Sequence, residues 1–274
     1  MQNATLISGI GPEDILTDPF AHVVRRDVLS AAHYEQLAAD FPPLSVMADG
    51  KTDLGSNIAL RMNCNQVRSH PQVSREWKEF FDYHTSADYW RELVRLFARH
   101  WRMEYPDLEA RSGRAFEDWR VVPRGSDGEA DVRLDCQFVV NTPVLKKSSV
   151  KRAHVDKADK IFSALFYMRD PQDRAAGGDL QLYRWSRPAR FVKHGVLPGD
   201  AALVKTLAYA PNAYVCFVNS ARSVHGVSPR DVTEVPRRYI NFITELPFKA
   251  FQPPQVNRLR RWWHGTRERP DDDY

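Results

Sequence analysis

Three cysteines among 274 residues are too few for a disulfide framework. Cys64, Cys136 and Cys216 are an odd set with no C-x-x-C spacing, which also argues against a cysteine zinc site and suits a reducing cytoplasm. Nowhere do about 18 apolar residues run together, and the opening Met-Gln-Asn-Ala-Thr has no basic stretch ahead of an apolar one. Neither a membrane span nor a secretory leader is expected. Charge of one sign is scarce as well. The 39 basic residues face 35 acidic ones, a formal net charge of +4, far from the dense basic stripe that nucleic acid demands. Anionic small molecules remain compatible partners. What is present is ordinary globular material, 43% hydrophobic and 27% charged, enough for one sizeable core. A single domain over 1–274 is expected, with a helical and loop part over 1–130, a β-rich core over 131–246 and an extension over 247–274.

Ala21-His22-Val23-Val24 reads as a short extended lead-in. Ser30 then caps a helix whose Tyr34, Leu37, Ala38 and Phe41 share one face, and Pro42-Pro43 stops it. Residues 44–70 are polar with little periodicity and read as one long loop, a kind of segment that often carries function. Its Arg61, Asn63, Asn65 and Arg68 either reach a substrate or form ordinary solvated surface. Two helices follow, near 74–84 and 87–101, capped by Ser74 and Ser86. Their faces, Trp77, Phe80, Phe81 and His84, then Trp90, Leu93, Val94, Phe97 and Trp101, suit a layer laid over a β-sheet. His84 and His100 read as structural.

Beyond residue 130 the period changes to two. Val132, Leu134, Cys136, Phe138 and Val140 alternate with Arg133, Asp135 and Gln137, which predicts a strand over 131–141. Short apolar runs recur at 161–168, 179–184, 201–206, 213–219 and 237–244, separated by Gly, Pro or Asn and without helices between them. Many short strands in this order predict a jelly-roll, a double-stranded β-helix of the cupin-like kind, whose mouth can hold a ligand. Arg258-Leu259-Arg260-Arg261-Trp262-Trp263-His264 reads as a short helix docking its tryptophans on the body ahead of an acidic tail.

His154 and Asp156, two apart in an extended stretch, point to one side and are placed to hold one cation. H-x-D alone recurs by chance, so a further ligand is needed. His225, in Ser223-Val224-His225-Gly226-Val227, is the best candidate and completes the two-histidine, one-carboxylate facial triad of non-haem iron sites. His194 competes, but Pro198-Gly199 follows it and suggests a turn, whereas strand-like sequence follows His225. His22, His33, His70 and His264 read as ordinary surface or partly buried side chains.

Around these residues stand Ile161-Phe162-Ser163-Ala164-Leu165-Phe166-Tyr167-Met168, Gly177-Gly178-Asp179-Leu180-Gln181-Leu182-Tyr183, Asn219-Ser220 and Arg237-Arg238-Tyr239-Ile240-Asn241-Phe242. Taken together, residues 131–246 resemble the 2-oxoglutarate-dependent Fe(II) dioxygenases, most closely their prolyl-4-hydroxylase-like branch. The resemblance implies Fe(II) on His154, Asp156 and His225, with 2-oxoglutarate and O2 as co-substrates. It implies that Arg238 pairs with the far carboxylate of 2-oxoglutarate and that Tyr167 assists. Strand parity is read the same way: Ile240 and Phe242 share the side of Arg238, so that side is taken as the buried one, where a guanidinium needs a planar carboxylate partner. The implied reaction is hydroxylation of an unactivated C–H bond of a small metabolite, such as an amino acid, a sugar or a natural-product intermediate, releasing succinate and CO2. The carboxylate of Asp156 favours this over halogenation, since halogenating relatives have a small residue there. A protein or peptide side-chain hydroxylase and a cupin-like metal-binding protein without oxygenase activity are the alternatives. Asp179, after two glycines, reads as a hairpin edge.

Overall fold

The structure is a computed structural model and describes residues 5–255. The basic tryptophan-containing stretch from Arg258 onward lies outside the described residues. Six α-helices are described: α1 (Ala31–Ala39), α2 (Leu44–Ala48), α3 (Cys64–Ser69), α4 (Arg75–His84), α5 (Ala87–Glu104) and α6 (Leu108–Ser112). The strands in chain order are β1 (His22–Arg25), β2 (Ala59–Met62), β3 (Val121–Pro123), β4 (Val132–Asn141), β5 (Lys160–Tyr167) and β6 (Leu180–Trp185). They continue with β7 (Phe191–Val192), β8 (Gly195–Val196), β9 (Ala201–Leu207), β10 (Ala213–Val218), β11 (His225–Val227) and β12 (Arg237–Glu245).

The predicted serine caps are present: Ser30, Ser74 and Ser86 each accept the backbone N–H three residues on, opening α1, α4 and α5. Residues 44–70 are not one loop. They form α2, β2 and α3, each too short to show a period, and three of the four polar residues singled out there have structural jobs. Asn63 caps α3 reciprocally with Gln66. Asn65 donates to the Arg124 carbonyl at 2.9 Å, and Arg68 pairs with Asp82 at 2.6 Å. Only Arg61, on edge strand β2, is left facing the interior of the barrel, because it stands opposite Val139 of β4.

The larger sheet runs β1-β10-β5-β12-β4-β2, with β3 parallel beside β4, and the smaller runs β11-β6-β9. Two strands from before residue 130, β1 and β2, therefore close the edges of the larger sheet. Alternation gives that sheet two different faces. Phe138 and Val140 of β4, Phe166 of β5, and Ile240 and Phe242 of β12 pack in one core with Trp77, Phe81, Trp90 and Trp101 of α4 and α5. The opposite face sends Val139, Tyr167, Val215, Phe217 and Tyr239 toward Leu180, Leu182 and Leu207 of the smaller sheet. This is the expected jelly-roll with a helical layer outside it.

His84 illustrates what the helical layer demands. It is 2% exposed, its ring centroid lies 4.1 Å from that of Phe80, and its Nε2 has no partner. Burial pushes its pKa down from 6.5 to about 4, with the Phe80 carbonyl opposing. A group whose pKa is lower folded than unfolded costs stability as pH falls through the unfolded value, and the loss is complete below the folded one. Stability should therefore decline from about pH 6.5, by about 2 kcal/mol at pH 5 and roughly 3 kcal/mol near pH 4 from this group. Urea unfolding across that range should show a shallower slope for His84→Phe; an unchanged slope would mean that His84 is not the titrating group.

Candidate metal centre

His154 and His225 face each other across an isolated antiparallel bridge and exchange both main-chain bonds, at 2.8 and 2.9 Å. Directly opposed residues carry their side chains to the same side, which brings the two ring centroids to 4.3 Å. Gly226 makes the approach possible, since a Cβ there would stand 3.0 Å from the Ala153 nitrogen. Each imidazole is oriented by the carbonyl two residues before it: Nδ1 of His154 lies 2.7 Å from Arg152 O, and Nδ1 of His225 lies 2.9 Å from Ser223 O. Donation from Nδ1 fixes the tautomer and leaves Nε2 with a free lone pair.

Asp156 completes the group. Its Oδ1 stands 3.7 Å from His154 Nε2 and 3.9 Å from His225 Nε2, while Oδ2 accepts a 2.6 Å bond from Ser163 Oγ on β5. One ligand atom from each residue lies within 4.8 Å of the others, the one such cluster of three among the described residues. Burial, and then the neighbouring His154, push the pKa of His225 down to about 4, so its imidazole is neutral at neutral pH. Burial opposes ionisation of Asp156, but His154, His225 and Lys160 outweigh it and hold the carboxyl well below its usual range. Two imidazoles and a carboxylate converging on one point fit a divalent transition-metal ion with open positions. His194 sits in the turn between β7 and β8, where its carbonyl accepts the Val155 N–H at 3.0 Å, and its ring is not among the converging ligands. Because Ser163 fixes the free carboxylate oxygen, Ser163→Ala should weaken Fe(II) binding about 10–100-fold, read by anaerobic metal titration. Unchanged affinity would show that Asp156 is held by the backbone alone.

A second polar group lies deeper between the sheets, and here strand parity departs from expectation. On β12, Arg237 stands opposite Asn141 and Tyr239 opposite Val139 and Tyr167, so the odd positions face the interior. Arg238 faces the helical side, where it donates to Met168 O at 3.1 Å, pairs with Asp170 at 3.3 Å and covers the Phe41 ring. The apolar parity of β12 marks the face covered by helices, and the barrel interior is the more polar one.

Arg237 is 2% exposed and forms no ion pair among the described residues. Its Nε donates to Gly178 O at 2.9 Å and Nη1 to Asn141 Oδ1 at 3.3 Å, while its guanidinium carbon lies 4.5 to 5.2 Å from the ring centroids of Tyr239, Tyr209 and Tyr167. Arg237 Nη2, Tyr167 Oη and Asn141 Nδ2 are buried and have no hydrogen-bond partner among the described residues. Gly178, at φ +79°, must lack a side chain, because a Cβ would press to 3.1 Å on Arg237 Cδ. Arg230 flanks the same glycine from the other side. It is buried, shares Asp173 with Arg169, and leaves Nε and Nη1 unpartnered. It lies in an irregular stretch after β11, with no period to single it out. Asp179 accepts from Tyr209 N and Ser228 Oγ at the start of β6.

No family model matches the chain, and no curated protein matches its sequence. Among solved structures it is similar to a prolyl 4-hydroxylase from Phytophthora capsici, with a TM-score of 0.51 and 14% identity over 88% of this chain and 66% of that one. A prolyl-4-hydroxylase from Pseudomonas putida gives 0.46 at 14% identity, over 82% and 92% of the two chains. An oxidoreductase of the 2OG-Fe(II) oxygenase family from Burkholderia pseudomallei gives 0.44 at 12%, over 85% and 86%. The Phytophthora likeness is one of fold and agrees with the jelly-roll described above. No helix among the described residues is long and apolar enough to cross a membrane.

Proposed function

We propose that this chain is an Fe(II)- and 2-oxoglutarate-dependent dioxygenase that hydroxylates an unactivated C–H bond of a small metabolite. The observation that carries the reading is the pairing of two features in one barrel: a buried facial triad, and an unneutralised buried guanidinium surrounded by donors that lack acceptors. His154, Asp156 and His225 would hold the iron. Bound Fe(II), with O2 and 2-oxoglutarate, supplies the oxidising chemistry, and succinate and CO2 are the by-products.

The chain's own contribution is placement. A buried guanidinium is costly unless paired, and Asp173, the carboxylate that pairs with the flanking arginine, is shared by Arg169 and Arg230. The far carboxylate of 2-oxoglutarate supplies the missing partner to Arg237, with the Tyr167 hydroxyl and the Asn141 amide donating beside it. A monocarboxylic oxo acid would leave these donors empty, which gives a physical basis for choosing the dicarboxylate. Leu182, Val215 and Phe217 line the interior with apolar surface that excludes water from the site.

The test is 2-oxoglutarate turnover by the Fe(II)-loaded protein, with succinate measured against a panel of amino acids, sugar nucleotides and peptides. Stoichiometric succinate and a product heavier by one oxygen are expected for a small-molecule member. Iron binding without any 2-oxoglutarate absorption band or succinate would sink the reading in favour of a metal-binding barrel.

A further inference from the structure

We infer that the substrate is a small molecule bearing an anionic group, a carboxylate or a phosphate, held beside the metal centre by Lys160 and Arg61. This rests on the dioxygenase reading and adds the substrate class.

The argument starts from an irregularity in the sheet. Strand β12 pairs Thr244 with Phe162 but Glu245 with Lys160, so Ile161 is an extra residue on β5. Ile161 and Phe162 both bury in the helix-side core. The bulge thus shifts the alternation by one and turns Lys160 to the interior face, the face that carries Ser163 and, through it, Asp156. Re-aiming one side chain beside a site is a common use of a bulge.

Lys160 is 9% exposed and makes no hydrogen bond or ion pair through its ammonium among the described residues. Burial lowers its pKa, and the charges it feels are Asp156, Arg61, Asp159 and Arg124, the first being the strongest. Neither carboxylate among these makes an ion pair with the Lys160 ammonium among the described residues. Asp156 is committed to the metal and to Ser163. Asp159 lies in the turn that the Lys160 N–H closes on Lys157 O at 3.0 Å, and its carboxylate forms no ion pair with Lys160 among the described residues. Arg124 is already neutralised, by Asp135 at 3.4 Å and Glu245 at 3.0 Å. Arg61 is not: its one side-chain bond runs to Gln137 Oε1 at 3.4 Å, and its guanidinium is open to solvent at the barrel edge.

Two cations without an ion-pair partner among the described residues therefore share this face, Lys160 buried near Asp156 and Arg61 at the rim. Between them, on the same interior face, lie Gln137 and the half-buried Asn241, whose side-chain amide makes no hydrogen bond. Such a group is balanced by an incoming anion. A substrate anchored there would carry its remaining carbons past Asp156 to the metal. The cosubstrate is held by a different set of residues, around Arg237.

The experiment uses the anaerobic Fe(II)·2-oxoglutarate protein and follows the metal-to-ligand absorption band as matched probes are added. The probes are free amino acids against their amides, sugar phosphates against free sugars, and a neutral proline peptide. Anionic members of one pair should perturb the band, and their neutral counterparts should not; which pair responds distinguishes carboxylate from phosphate. Lys160→Met and Arg61→Gln should each weaken that response, Lys160→Met by about 30-fold or more, while the titration that forms the band with 2-oxoglutarate stays as in the wild type. Arg61→Gln, on an exposed edge, keeps the test intact if Lys160→Met unfolds. The inference is overturned if neutral probes or the peptide act as well as anionic ones, if no anionic probe acts, or if both variants respond as the wild type does. Loss of 2-oxoglutarate binding in Lys160→Met would also overturn it, by assigning the lysine to the cosubstrate. Absence of the band in the wild type would instead remove the dioxygenase reading itself.

Discussion

His225→Ala and Asp156→Ala should each abolish substrate oxidation and weaken Fe(II) binding by more than the roughly 10–100-fold expected for the supporting Ser163→Ala change. Each removes one of the three proposed ligands, and no replacement joins the cluster among the described residues: it has three members, and the His194 ring is not among them. Folding should survive both changes. The His154–His225 bridge is made by main-chain atoms, and Asp156 contributes one side-chain bond, to Ser163. Anaerobic Fe(II) titration together with succinate formation checks this, and an unfolding midpoint close to the wild-type value separates loss of metal from loss of structure. His194→Ala serves as the comparison. It should retain iron, because the ring of residue 194 is not among the converging ligand atoms, and its carbonyl is what the site segment bonds. Near-normal turnover in His225→Ala, or loss of iron in His194→Ala, would transfer the ligand role to position 194.

The parts of the architecture that could be read from the chain are those in which one physical pattern repeats. Strand β4 alternates through ten residues, and the serine-capped α4 and α5 hold their aromatic faces over three turns or nearly so, so their existence and rough limits follow from periodicity. A short element set among polar residues shows no repeat. For that reason α2, β2 and α3 merged into an expected loop, and β7, β8 and β11 left no mark beyond the residues flanking them. The three residues of the candidate metal centre were readable because a two-residue spacing with a later histidine is a chemical pattern that does not depend on exact strand limits. The direction of the two arginines on β12 was misread for a specific reason. The apolar side of β12 was taken to face the barrel, yet Ile240 and Phe242 pack on the helices, and the interior side carries Arg237 and Asn241. Strand β4 shows the same division, with Cys136, Phe138 and Val140 outward and Asp135, Gln137 and Asn141 inward. In a sheet with a helical layer on one face and a polar site on the other, the more hydrophobic side is the structural one. Lys160 could not have been placed at all, since regular alternation puts it with Phe162 and only the bulge reverses it.

Arg237→Ala should weaken 2-oxoglutarate binding about 30-fold to several thousand-fold. Removing one member of a buried, hydrogen-bonded charge pair costs roughly 2–5 kcal/mol, and about 1.4 kcal/mol is tenfold in affinity. The range is set by how far Tyr167, Asn141 and Arg230 can hold the abandoned carboxylate; all three have buried polar atoms without partners. Arg237→Lys should recover only part of the loss, since an ammonium keeps the charge without the planar fork. Tyr167→Phe removes a single donor and should cost far less, several-fold at most, in line with about 0.5–1.5 kcal/mol for one hydrogen bond. Arg238→Ala is the control. Its ion pair with Asp170 is part-exposed and lies on the helical side of the sheet, so cosubstrate affinity should change little. The measurement is a 2-oxoglutarate titration of each anaerobic Fe(II)-loaded variant through its absorption band, accompanied by an unfolding midpoint. A large loss in Arg238→Ala with a small one in Arg237→Ala would mean that the far carboxylate lies outside the barrel interior. Small losses in both, with the band still forming, would place it on Arg230 and Tyr167, the remaining donors around Gly178 and Tyr209.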